Sequence, residues 1–332
     1  MTAERLVEVW RGDFLESSHH GHAVIVDDTG QIVSAWGDPE EIILPRSSCK
    51  MIQALPLVMS GAADRAGLTV EQLALSCASH QGADIHTHRV KSWLADLGFD
   101  DSHLACGPQW PNDRPAHADL IKADEKPCRY HNNCSGKHCG FLTLAKDQGA
   151  DLDYVNPDNP VQIAVRDAFE TATGETSPGY GIDGCSAPNF ATSVVGLGRA
   201  VAKFAAATEG ASTEQTAMVR LREAMMQHPD LVAGETRACT ELMRAAPGVA
   251  LKTGAEAVFV AIVPEKKMGI ALKIEDGSTR GSEAMITGLL AHLGVLDAAH
   301  PAAQKRLGGP TKNFAKLDVG STQLVPDLFS RL

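Results

Sequence analysis

"GVALKTGAEAVFVAIVPEKKMGIALKIEDG", residues 248–277, is the stretch that decides the fold. Apolar and β-branched residues alternate along it, and "PEKK" interrupts them with turn chemistry, so it reads as a β-hairpin or meander. Working outward, a helix is expected at 280–294, followed by a tail of mixed character. Toward the N-terminus, helical spacing covers 212–227, 189–207 (apolar and alanine-rich), 159–173 and 138–148. Residues 100–134 are irregular and rich in Pro, His and Asp, which suggests a long functional loop region. Before that lie helices at 84–97 and 62–68, and one from Ser47 to Met59. The chain opens on strands at 5–11, 22–27 and 31–36, with "DDTG" at 27–30 as a hairpin turn. Strands at both chain ends around a helical middle predict an α+β fold, an antiparallel sheet covered by helices.

The 332 residues carry 44 % hydrophobic and 21 % charged side chains, which suits a globular enzyme and excludes a largely disordered chain. They are treated as one domain, 1–332, since no repeat or low-complexity segment divides them. A net charge of -11 argues against nucleic acid or an anionic membrane as a main partner. "MTAERLVEVW" lacks the pattern of a secretion signal, and no apolar run reaches membrane-spanning length. A cytoplasmic location is expected, with the eight cysteines reduced or metal-bound rather than paired.

Chemistry concentrates in four places. In "RSSCKM" (46–51), helical spacing sets Ser47 beside Lys50 and turns Ser48 away. Ser-x-x-Lys is an acyl-transfer device in which a desolvated lysine activates the serine, although alone it reads more readily as N-capping serines and a surface lysine. "LSCASHQG" (75–82) puts Ser79 and His80 on a tight polar loop. "HNNCSGKHCG" (131–140) places Cys134, Lys137 and His138 on one face of a helix starting near Ser135. It lacks the C-x-x-C of a zinc ribbon, so a metal there needs a remote ligand. Cys185 in "GIDGCSAP" (181–188), beside Asp183, offers one; two buried inert thiols are the plain alternative. Finally, "LKTG" (251–254) matches the Lys-Thr-Gly signature that follows Ser-x-x-Lys in penicillin-binding proteins and serine β-lactamases.

Taken in order, "LPRSSCKM", "LSCASHQG", "HNNCSGKHCG", "GIDGCSAP", "LKTGAEAVF" and "ALKIEDGSTRG" closely resemble the asparaginase II family, the thermolabile, rhizobial-type L-asparaginases. The resemblance runs from about residue 5 to 330. It implies a serine β-lactamase-like fold, a homodimer, and hydrolysis of L-asparagine to aspartate and ammonia. It implies catalytic roles for Ser47 with Lys50 and for Ser79 with Lys252, Lys273 being the alternative second lysine. It further implies zinc on Cys134, Lys137 and Cys185, with Arg46, His80, His138, Asp183 and Cys239 around the substrate. A glutaminase or other amidase on the same scaffold, and a zinc-binding ligand sensor without turnover, are the alternatives. Both Ser–Lys pairs are intact, which argues against the sensor.

Overall fold

A computed structural model describes residues 2–330; positions 1, 331 and 332 of the span expected as one domain lie outside the described residues. The strands in chain order are β1 (Glu4–Arg11), β2 (Phe14–Val26), β3 (Ile32–Trp36), β4 (Ile42–Ile43), β5 (Tyr180–Ile182) and β6 (Pro188–Phe190). They continue with β7 (Thr192–Ser193), β8 (Ala250–Gly254), β9 (Val258–Val263), β10 (Met268–Ile274), β11 (Pro310–Lys312) and β12 (Asp318–Leu324). The described residues divide into two compact units, those within 1–48, 192–206 and 241–332 forming the first and those within 49–191 and 207–240 the second. Among the described residues, no helix is long and apolar enough to cross a membrane.

The first unit is built on an eight-stranded sheet in the order β11-β12-β1-β2-β10-β9-β8, with β3 also on β2. Every pairing in it is antiparallel, and β12 lies on β1, so the two ends of the chain meet in one sheet. The meander read in 248–277 is β8, β9 and β10. β9 is buried at every position, as a strand covered on both faces must be. Helix Val194–Ala206 lies on one face so closely that a Cβ on Gly269 would fall 2.3 Å from Ala202 N. Helix Thr279–His292 lies on the other, where a Cβ on Gly281 would sit 3.2 Å from Ile274 Cγ2. The expectation of an α+β fold with a helix-covered antiparallel sheet holds.

The second unit is helical around Ser135–Gln148, whose residues from Ser135 to Ala145 are all buried. It is enclosed by its neighbours, which include Leu55–Met59, Ala62–Arg65, Val70–Ser76, Asp84–Asp96 and Pro160–Thr173, although Ser135, Lys137, His138 and Thr143 are among its buried residues. β5 and β6 form a separate hairpin.

Local structure differs from the spacing in several places. Residues 46–49 form a 3₁₀ turn entered by Arg46 in the left-handed region (φ 53°), and α-helix starts only at Lys50. That helix stops at Gln53 and restarts at Leu55, because Pro56 has no N–H to give the preceding turn. A helix over Val70–Ser76, started by the Thr69–Gln72 capping box, takes residues expected in the "LSCASHQG" connection. Within 100–134, Arg114–Lys122 is helical, capped by Asp113. The apolar helix expected from 189 begins at Val194, after β6 and β7.

Candidate active site

In the second unit, three segments are brought together by close packing at Gly136. A Cβ there would lie 2.4 Å from Leu75 O, so the first turn of helix Ser135–Gln148 rests on helix Val70–Ser76. The chain leaves that helix at Cys77 and runs past the same turn, with His80 N donating to Asn133 O at 3.1 Å and Ser79 N to Val232 O at 2.8 Å. This is the reason for the glycine in "CSGK": it lets the Ser79 loop reach Cys134.

Lys50 is almost fully buried. Its Nζ donates to Ala78 O, to Ser79 Oγ (2.9 Å) and to Cys134 Sγ (3.1 Å). The amine expected next to Ser47 is thus hydrogen-bonded to Ser79. Cys134 N donates to Asn132 Oδ1 at 2.9 Å, and Asn132 Nδ2 is tied to Cys106 O (2.8 Å) and Gly107 O (3.0 Å), which fixes the cysteine.

Lys137 stands in the first turn of its helix, where the macrodipole disfavours a cation. Its counterion is Cys185, delivered by the turn between β5 and β6, with Nζ to Sγ at 3.0 Å. The contact with Cys134 is what most lowers Cys185, with Lys137 acting the same way, while Cys134 is raised, first by Cys185 and then by burial. Of the two sulfurs, Cys185 is thus the one held toward the thiolate. Burial alone would lower Lys137, but Cys185 and Cys134 outweigh it and the amine is raised. Two sulfurs and an amine converge here, a donor set that suits a thiophilic cation once the amine gives up its proton. Among the described residues no cluster of three or more His, Cys, Asp or Glu side chains is arranged for a metal, so a three-ligand site depends on Lys137.

His138 is fully buried and lowered, chiefly by burial. Its Nδ1 pairs with Tyr154 Oη at 2.8 Å, and Tyr154 Oη also accepts from Ala105 N at 2.7 Å. Its Nε2 makes no hydrogen bond among the described residues. His80 Nδ1 accepts from Gly82 N (3.2 Å), and its Nε2 faces Ser135 Oγ (2.9 Å), which itself donates to Tyr130 O (3.0 Å). That leaves the Nε2 hydrogen to His80, the neutral tautomer, in keeping with a pKa held well below the ordinary value by burial and by His86. Asp183 is half-buried two residues before Cys185, and Cys239 is buried. Tyr154, Ser135 and Asn132 were not singled out by the sequence reading; each acts through contacts made by distant segments, for which no local pattern exists.

The first unit holds Arg46, Ser47 and Lys252. Ser47 is half-buried in the 3₁₀ turn. β8 passes against that turn, since a Cβ on Gly254 would lie 2.5 Å from Pro45 O and 3.2 Å from Ser47 N. The glycine of Lys-Thr-Gly thus brings strand and serine turn together. Lys252, on the same strand, is buried with Nζ donating to Thr253 O at 2.9 Å. The alternative Lys273 donates to Glu256 O (2.7 Å) and Ile274 O (2.6 Å), and with Arg46, His22, Glu41, Glu256 and Glu275 it lines a cavity of about 580 Å³.

No curated protein matches the chain. Among solved structures it is similar to Mglu in its tris and glutamate form (12 % identity, 89 % of this chain and 63 % of that one, TM-score 0.48). It is also similar to a putative β-lactamase from Bacteroides dorei (11 %, 82 % and 93 %, TM-score 0.43). A third is the β-lactamase/D-alanine carboxypeptidase from Pseudomonas syringae (14 %, 85 % and 94 %, TM-score 0.43). The family model of L-asparaginase II matches residues 7–324, nearly the whole length, and the chain belongs to that family of amidohydrolases.

Proposed function

We propose that this protein is an L-asparaginase that hydrolyses the side-chain amide of L-asparagine to L-aspartate and ammonia. The observation that carries the reading is a buried lysine, Lys50, hydrogen-bonded to a serine hydroxyl, Ser79, inside a chain of the L-asparaginase II family. Ser47 attacks the amide carbon and Lys50, three residues on, takes its proton. Backbone N–H groups, that of Ser47 included, stabilise the oxyanion. Ser79 and Lys252 pass a proton to the departing ammonia and then withdraw one from the water that releases aspartate. Asp183 pairs with the substrate α-ammonium, and Arg46, His80, His138 and Cys239 line the pocket. Cys134, Lys137 and Cys185 would hold zinc, which when bound supplies a fixed positive charge toward substrate or water. The active form is a homodimer.

Ammonia release from L-asparagine, with L-glutamine and simple amides alongside, tests the assignment. Turnover of asparagine well above the others supports it, and preference for glutamine makes the protein a glutaminase. Asparagine binding without turnover points to a sensor. Metal analysis of the purified protein should find about one zinc per chain, lost in Cys134→Ser and Cys185→Ser but kept in Cys106→Ser.

A further inference from the structure

The second unit contains a cavity of about 670 Å³ that the catalytic assignment does not use. Its floor is apolar and buried, made by Ala62, Trp93 and Leu97, with Thr143 accepting a hydrogen bond from Trp93 Nε1 at 3.1 Å. Its walls carry Arg65, Arg89 and Lys146 against Glu71, Asp96 and Asp147, three charges of each sign. Four of these are already matched. Arg65 forks onto Asp147 at 2.6 and 2.7 Å, and Arg89 onto Glu71 at 3.0 and 2.8 Å. The remaining two are not matched to each other. Lys146 Nζ donates to Leu97 O at 2.7 Å and lies 5.8 Å from the centroid of the Phe99 ring, and among the described residues it forms no ion pair. Asp96 forms none either, and its side chain is exposed at the rim.

An ammonium and a carboxylate that have no ionic partner beside one apolar floor are complementary to a ligand bearing one charge of each sign on a compact apolar body. We infer that this cavity is a second small-molecule site, distinct from the amide-hydrolysing centre, and that its ligand is a free α-amino acid with an aliphatic or aromatic side chain. The ligand carboxylate meets Lys146, its ammonium meets Asp96, and its side chain covers Leu97. A ligand carrying only one of the two charges leaves the other wall charge unmatched and gains less. The cavity also touches the C-terminal half of helix Ser135–Gln148, whose first turn bears Lys137, so an occupant there rests on the helix that positions the catalytic cluster.

Isothermal titration of the full chain with L-phenylalanine and L-leucine tests this, with phenethylamine and 3-phenylpropanoate as single-charge controls. Saturable binding of at least one amino acid is expected, with the controls weaker by about tenfold or more. Asp96→Asn and Lys146→Ala should each weaken it by about tenfold, and Ala66→Phe, which fills the mouth from an exposed position, should abolish it. All three should hydrolyse their amide substrate like the parent in the absence of added amino acid. Absence of saturable binding by both amino acids up to about 10 mM overturns the inference, 1 mM being the scale of a weak specific ligand. Binding that survives Ala66→Phe also overturns it, because the occupied site is then another one. Failure of asparagine hydrolysis in the preceding experiment leaves this result unaffected.

Discussion

Ser48 Oγ donates to Pro45 O at 2.7 Å and is fully buried, whereas Ser47 is half-buried, so the two serines of "RSSC" differ in what they do. Ser47→Ala should lower amide hydrolysis by about a thousandfold or more at unchanged melting temperature, as expected for loss of a nucleophile. Ser48→Ala should keep most of the activity and lose about 1 kcal/mol of stability, the usual net worth of one hydrogen bond. Assays and denaturant melts of both variants check this, and equal activity losses would remove the distinction. The spacing of Ser47 and Lys50 was legible as a motif. The left-handed Arg46 was not, because a non-glycine residue in that region is uncommon and is held there by its surroundings. Nor was the Lys50–Ser79 bond, which joins positions far apart in sequence. His80 and His86, stacked at 4.6 Å, are both lowered, chiefly by burial. The folded state then binds fewer protons than the unfolded one below the ordinary histidine pKa of about 6.5. Stability is complete above that value and should fall as the pH drops through it, by about 1.4 kcal/mol per pH unit for each histidine. His86→Gln should flatten the dependence, as urea melts at a series of pH values would show.

Helix Val194–Ala206 and β10 meet where Gly198 and Gly269 leave no room for a side chain, a Cβ on Gly269 falling 2.6 Å from Gly198 O. Gly269→Ala should therefore force helix and strand apart and cost about 3 kcal/mol, read as a shift in urea midpoint. Gly184→Ala meets nothing within 4 Å and should be near neutral in the same melt. The long periodic helices 84–97, 159–173 and 212–227 were legible to within a residue or two of their observed ends, as was the meander. Short helices were not. Val70–Ser76 and Arg114–Lys122 are set by their caps, Thr69 with Gln72 and Asp113, more than by an apolar stripe. Asp113→Ala should remove that cap and the bond from Gln81 Nε2 (3.1 Å), making residues 107–127 the first to be cut in limited proteolysis while the global midpoint holds.

At the scale of the molecule, the sheet of the first unit joins strands far apart in sequence, β1 and β12. β12 covers β1 from Val7 to Arg11, and Trp36 Nε1 donates to Leu328 O at 3.0 Å. A chain ending at Leu317 should expose the edge of β1 and the buried Leu6, Val7 and Val9, and be recovered as aggregate rather than as soluble enzyme. The α+β class was legible because strands occur at both ends of the sequence. The division into two units was not, because the chain passes between them in mid-sequence, at 48/49, 191/192, 206/207 and 240/241, without a linker of distinct composition.

Lys50 has one consequence that follows from counting hydrogens. An ammonium holds three, and Ala78 O, Ser79 Oγ and Cys134 Sγ receive them. A neutral amine holds two and a lone pair, so one of the three contacts must then reverse direction. The Ala78 carbonyl has no hydrogen to give. Only the serine O–H or the cysteine S–H can turn toward the nitrogen, so the proton that Lys50 loses is registered as a reorientation of Ser79 or Cys134. A lone pair on Lys50 and the direction of one neighbouring hydrogen, that of Ser79 or that of Cys134, are therefore set together.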